Sequence, residues 1–143
     1  MMPVIAQILF GSALLLACSA IHIKLITMLI ARLKRVALKR GSYLQRHEFY
    51  RTSFVFLALL ASHTVQIYVW AVALWALNVL DGFETPIYFS LVTYTTLGYG
   101  DVTLAESWRV FGAMASATGI LAFGLSTAVL VGYFAHIWDE QDK

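Results

Sequence analysis

Residues 93–101 read Thr93-Tyr94-Thr95-Thr96-Leu97-Gly98-Tyr99-Gly100-Asp101, and the glycines on either side of Tyr99 set what this backbone can do. Gly98 and Gly100 carry no Cβ and take positive φ without steric cost. A chain built this way alternates between conformations closed to other residues while its carbonyl oxygens stay aligned. Thr96 adds a hydroxyl at one end of the run, and Asp101 closes the other with a carboxylate. A Gly-Tyr-Gly is also an ordinary turn between strands. The flanking segments decide against the turn.

Those flanks belong in a membrane. Of the 143 residues, 60% are hydrophobic and 13% charged, with a mean hydropathy of +0.76. A soluble domain of this length could not bury so much apolar surface. Three apolar stretches, residues 4–30, 52–80 and 107–137, each exceed the roughly 20 helical residues that cross the hydrocarbon core. Residues 86–95, between the second and third, cover only about half a bilayer at about 1.5 Å per residue. They read as a re-entrant half-helix, with Thr85 as N-cap and Pro86 at the first helical position. Entering from outside, such a helix points its partially negative C-terminal end inward. The irregular backbone after it is tolerable at membrane depth only where it lines a wet path inside protein. The expected fold class is an all-α membrane protein: three transmembrane helices plus a re-entrant helix and loop.

Charge placement sets the orientation. Seven of the ten basic residues, Arg32, Lys34, Arg35, Lys39, Arg40, Arg46 and Arg51, lie between the first two helices. The positive-inside rule makes that connection cytoplasmic. The N-terminus then lies outside, the loop at 96–101 near the outer face and the C-terminus inside a plasma membrane. Every charged residue within 81–106 is acidic (Asp81, Glu84, Asp101 and Glu106), so the outer mouth attracts cations.

Thr96-Leu97-Gly98-Tyr99-Gly100 resembles the selectivity filter of the potassium channel pore-domain family, with Leu97 where valine is usual. The likeness extends over roughly residues 84–135. It implies a potassium-selective channel, with K+ held by the carbonyls of Thr96, Leu97, Gly98 and Tyr99 and released past Gly100 and Asp101. It implies no cofactor beyond those ions, and a homotetramer, since a ring of carbonyls needs several copies around an axis. The pore domain is then residues 52–137: outer helix 52–80, pore helix 86–95, filter 96–101 and inner helix 107–137. Residues 1–31 form an accessory helix, 32–51 a basic cytoplasmic linker and 138–143 a short tail. By the same resemblance Gly119 is a gating hinge, although close helix packing also explains a glycine there. Gly124 lies on the same helix, and Ile120, Phe123 and Thr127 fall at the cavity wall or inner gate. Thr95, Tyr88, Val92, Asp101 and Thr103 support the filter or its outer mouth. By the same resemblance, Val92 stands where the best-studied minimal bacterial channel has a glutamate that partners the filter aspartate, and Tyr88, where the family often has tryptophan, is the remaining candidate donor to Asp101. Thr103 stands where an aromatic ring favours external tetraethylammonium by cation–π attraction.

The remaining polar residues are read locally. His22 and Lys24 fall toward the inner end of the first span, where snorkelling accounts for them. His63 is intramembrane, a functional candidate by default but more commonly a packing residue. His47 and His136 lie near the cytoplasmic face. Leu15-Leu16-Ala17-Cys18 resembles a lipoprotein attachment box, and a buried unpaired thiol is the alternative. The linker is either a topology signal alone or a segment bound to anionic membrane lipid. No nucleophile–base pair or phosphate loop points to an enzyme, and no nucleic-acid partner is expected. No helix carries arginine at every third residue, so gating responds to the membrane, to pH, to ions or to a separate regulatory subunit. Two other readings stay open: a weakly selective cation channel, and a non-conducting ancillary subunit of a heteromeric complex.

Overall fold

A computed structural model describes residues 3–38 and 45–141 as four α-helices. They are α1 (Val4–Leu38), α2 (Gln45–Ala76), α3 (Glu84–Tyr94) and α4 (Arg109–Gln141), with a 3₁₀ turn at Glu106–Trp108 leading into α4. The protein is all-helical, and α1, α2 and α4 are long and apolar enough to span a membrane, over Val4–Leu33, Phe49–Ala76 and Glu106–Ala135. The middle of the basic linker, the last two tail residues, and the side chains of His47 and His136 lie outside the described residues.

Helix ends differ from the hydropathy boundaries for identifiable reasons. Much of the expected linker is helical, because α1 runs on through Arg32 and Arg35 to Leu38 and α2 begins at Gln45. Ala, Leu, Lys and Arg are strong helix formers, and long basic side chains let a helix continue past the apolar layer. At its other end α2 stops at Ala76, four residues before hydrophobicity does. Asn78 adopts φ 52°, Asn78 N–H donates to Trp75 O and Val79 N–H donates to Leu74 O. This pair of bonds around a left-handed residue is a Schellman cap, for which Asn is the usual substitute for Gly. The pore helix starts at Glu84, two residues before Pro86. Phe83 holds the N-cap position without a side-chain bond, so Thr85 is not the cap. Pro86 still sits in the first turn, where a missing N–H costs nothing.

α1 is parallel to α4 and in register with it. Phe111 N–H donates to Gln7 Oε1 at 3.3 Å, and Ser126 Oγ lies 3.1 Å from His22 Nε2, both pairs 104 residues apart in sequence. Fifteen residues of α1 separate them, about 22 Å of helix. Gly11 permits the approach between them, since a Cβ there would sit 2.2 Å from Met114 Sδ. The first helix is therefore integral to the subunit: its contact with α4 is more extensive than that of α2. Trp70 and Leu74 of α2, Cys18 of α1, Tyr94 of α3 and Phe111 and Ala115 of α4 form one buried cluster. Ile26, Leu29, Val55 and Leu59 form a second, against Val129, Leu130 and Tyr133. Cys18 is wholly buried inside an unbroken helix, which is the buried-thiol reading of the Leu15–Cys18 stretch.

Candidate functional site

Residues 96–101 begin where α3 is forced to end. Thr95 is the C-cap, Thr96 takes φ 60°, Thr96 N–H donates to Thr93 O and Leu97 N–H to Val92 O. This is a second Schellman cap, with a β-branched residue in the position that glycine normally fills. A left-handed conformation costs such a residue about 1–2 kcal/mol, and strain of this kind concentrates at functional sites. Gly98 N–H also reaches Val92 O, at 3.3 Å, so the half-helix ends with its carbonyls occupied by the loop that follows. Thr95 Oγ1 donates to Leu91 O at 2.8 Å.

From Thr96 the backbone alternates in hand. Thr96, Gly98 and Gly100 have φ of 60°, 56° and 80°, whereas Leu97 and Tyr99 are not left-handed. A Cβ at Gly98 or Gly100 would meet nothing within 4 Å, so conformation rather than space requires glycine there. Sequence reasoning anticipated the two glycines but not Thr96. The side chains of Leu97 and Tyr99 are 55% and 69% exposed on the single chain.

Tyr88, Val92 and Ser116 lie around this loop. Tyr88 Oη donates to Asp101 Oδ2 at 2.5 Å. That bond, with backbone N–H groups at Asp101 and Val102, holds the Asp101 carboxyl below the ordinary carboxylate range against the opposing effect of desolvation. Val92 is buried and offers no polar partner. A cavity of about 330 Å³ is lined by Tyr88, Val92, Thr93, Gly98, Asp101 and Ser116, among others. Ser116 Oγ donates to Thr93 O at 2.8 Å, tying α4 to the pore helix. Thr103 is exposed. Arg109 lies just beyond the acidic stretch and pairs with Glu106 at 3.6 Å, which offsets part of the mouth's negative charge.

Gly119 is where α4 meets the end of the pore helix. A Cβ there would lie 1.9 Å from the carbonyl oxygen of Tyr94, so close approach alone requires glycine at this point of an unbroken helix. Gly124 has open space around it, and Ile120 and Thr127 are exposed. Phe123 is exposed as well, although its ring stacks on His63 at 4.4 Å and meets Tyr94 edge-on at 5.7 Å. His22 is not a snorkelling residue: it is 1% exposed, with Nδ1 2.7 Å from Ser62 Oγ. His63 joins the same buried group, with Nδ1 2.9 Å from Tyr94 Oη and Nε2 3.0 Å from Ser126 Oγ. Spacing along one chain could not reveal this convergence, because its members come from four helices. The adjacent Ser62-His63 with Gln66 a turn later was the available signal.

Comparison with known proteins bears on this loop. The Ion channel family, Ion_trans_2, matches residues 54–136, more than half of the chain. The potassium voltage-gated channel protein shk-1 of Caenorhabditis elegans is 37% identical over 57 residues, covering 39% of this chain and 11% of that protein. The A-type voltage-gated potassium channel KCND3 of Rattus norvegicus and of Homo sapiens is 35% identical over 57 residues, 39% of this chain and 9% of each relative. The chain thus spans about a tenth of the length of these curated relatives. No solved structure matches it.

Proposed function

Because this chain belongs to the ion channel family and carries a pore domain of the potassium channel type, we propose that it conducts K+ passively through a homotetrameric, K+-selective pore. The observation that carries this reading is the alternating backbone hand at Thr96, Gly98 and Gly100, directly after a capped half-helix. Four such loops around an axis supply stacked oxygen rings that replace the hydration shell of a dehydrating cation. Potassium exchanges water for the Thr96 hydroxyl and the carbonyls of Thr96 to Tyr99, then leaves past Gly100 and Asp101. The charged Asp101 raises the local cation concentration at the mouth. The negative end of α3 favours a cation on the inner side. The basic segments at the α1–α2 connection are cytoplasmic, which puts the filter near the outer face. Contact of those segments with anionic lipid headgroups, and control by a separate subunit, are compatible with this arrangement.

One observation favours a second reading, a weakly selective cation channel. The cavity beside Val92 leaves the filter with few lateral supports, and a pliable filter discriminates less between K+ and Na+. Ion-dependent stability separates the two. The purified assembly is expected to have the mass of four chains and a higher melting temperature in KCl than in equimolar NaCl. Equal melting in the two salts would favour the second reading, and a monomer would contradict both.

A further inference from the structure

Six buried polar side chains meet inside the bundle beside the end of α3: His22 of α1, Ser62, His63 and Gln66 of α2, Tyr94 of α3 and Ser126 of α4. Nothing in passive conduction uses them. Ser126 stands between the two histidines, 3.1 Å from His22 Nε2 and 3.0 Å from His63 Nε2. The chain of bonds continues to Ser62 at one end and Tyr94 at the other. Gln66 Nε2 lies 3.3 Å from His22 Nδ1. The Ala122 backbone also hydrogen-bonds His22.

We propose that His22 and His63 form a proton-binding site that clasps Ser126, so that protonation releases the inner half of α4 and opens the pore. The proposal rests on the pore reading above. Each neutral imidazole offers one donor and one acceptor, and a serine hydroxyl offers the same. A single directed chain, from Tyr94 Oη through His63, Ser126 and His22 to Ser62, then gives each imidazole one donor and one acceptor contact; it leaves out the Gln66 Nε2 donor and the Ala122 backbone carbonyl, which also reach His22. A proton added to His63 makes it donate at both nitrogens, to Tyr94 Oη and to Ser126 Oγ. The hydroxyl proton of Tyr94, whose hydrogen bond is the one to His63, loses its acceptor.

Charge and geometry push in the same direction. The rings of His22 and His63 are 5.2 Å apart, so the pair takes one proton far more readily than two. From α1 the other titratable group facing the site is buried Cys18, one turn from His22; from α3 it is Tyr94; α4 contributes Ser126 and Ala122, which do not titrate. Lys24 is exposed, two residues and about 200° around α1 from His22. A buried imidazolium without a carboxylate partner is costly, and a state that admits water to it relieves that cost. Phe123, stacked on His63, is exposed, as are Ile120 and Thr127 on the same helix, so one ring separates His63 from an open face of α4. The proton therefore binds better to the state in which α4 has moved, and acid populates that state. Tyr94 extends the effect to the filter, because its hydroxyl is held by His63 while its carbonyl abuts Gly119. The first helix thereby gains a role in gating, since its His22 supplies one half of the clasp.

Single-channel recording of the reconstituted full chain at inner pH 7.5 and 5.5 tests the proposal, with reversal potential recorded alongside. Open probability of the unaltered channel should rise on acidification, by up to about tenfold per pH unit for one proton per subunit. His63→Gln keeps a neutral donor and acceptor, and should stay mostly closed with a flat pH profile. Ser126→Ala removes the clasp, and should be open at pH 7.5 and equally flat. A pH response retained in both His63→Gln and His22→Gln, or none in the unaltered channel, overturns the proposal. Imidazole ¹⁵N shifts of the same preparation report protonation without any current. Shifts that do not change between pH 8 and 5 overturn it independently. Absent K+ selectivity in the reversal potential would refute the pore reading, which the ¹⁵N titration does not depend on.

Discussion

Gly119→Ala is the sharpest structural perturbation available, because its consequence is fixed by one distance. The added methyl would lie 1.9 Å from Tyr94 O and 2.9 Å from Tyr94 C. Carbon and oxygen approach no closer than about 3.3 Å in ordinary contacts, so α4 and the end of α3 must separate by about 1.4 Å. Both partners are backbone of packed helices, and overpacking of this kind costs about 1–3 kcal/mol. Alanine's better helix propensity returns about 1 kcal/mol at most. Gly124→Ala is the matched control, since it gains the same propensity in open space. Thermal or denaturant unfolding of the two purified variants should place Gly119→Ala at least about 1 kcal/mol below Gly124→Ala. The displaced group is the carbonyl one residue before Thr95, so ion-dependent stabilisation should weaken in Gly119→Ala and not in Gly124→Ala. Equal stability and equal K+ dependence in both variants would refute the close-approach reading of Gly119.

Other expectations concern the filter's surroundings. Tyr88→Phe removes the bond that depresses the Asp101 carboxyl. Because a depressed carboxylate stabilises the native arrangement above its ordinary pKa of about 3.9 and stops doing so as pH falls through its lowered value, Tyr88→Phe should move acid-induced inactivation to higher external pH, read from current decay. No shift would mean that this bond does not hold the filter. Val92→Glu places a carboxyl in the cavity behind the filter, within the space that Asp101 also lines; slow inactivation should change markedly, and unchanged decay would count against the cavity as a determinant. Thr103→Tyr should tighten block by external tetraethylammonium by about 0.5–1 kcal/mol per engaged ring, checked by dose-response on currents.

How much of this was legible in the sequence varies with the range of the interaction. The two glycine positions were readable because their requirement is local: Gly98 and Gly100 are where the backbone needs positive φ, and both adopt it. The three spans were readable because a bilayer demands long apolar runs. Helix ends were less so, since Asn78 and Thr96 terminate helices through left-handed caps that hydropathy does not register. Thr96 in particular adopts a conformation its type disfavours, held there by bonds to Thr93 and Val92. The place of α1 was not legible at all. Its register against α4 depends on Gly11 meeting Met114 and on two hydrogen bonds between residues 104 apart. His22 and His63 look unrelated in sequence, and only the packing of four helices makes them neighbours.

We propose that this chain alone forms a K+-selective pore through residues 96–100. The most direct test is the reversal potential of the purified chain in liposomes under opposed K+ and Na+ gradients. The account expects a value close to the potassium equilibrium potential, lost when Gly98 is replaced by alanine. Robust current reversing near zero would contradict it.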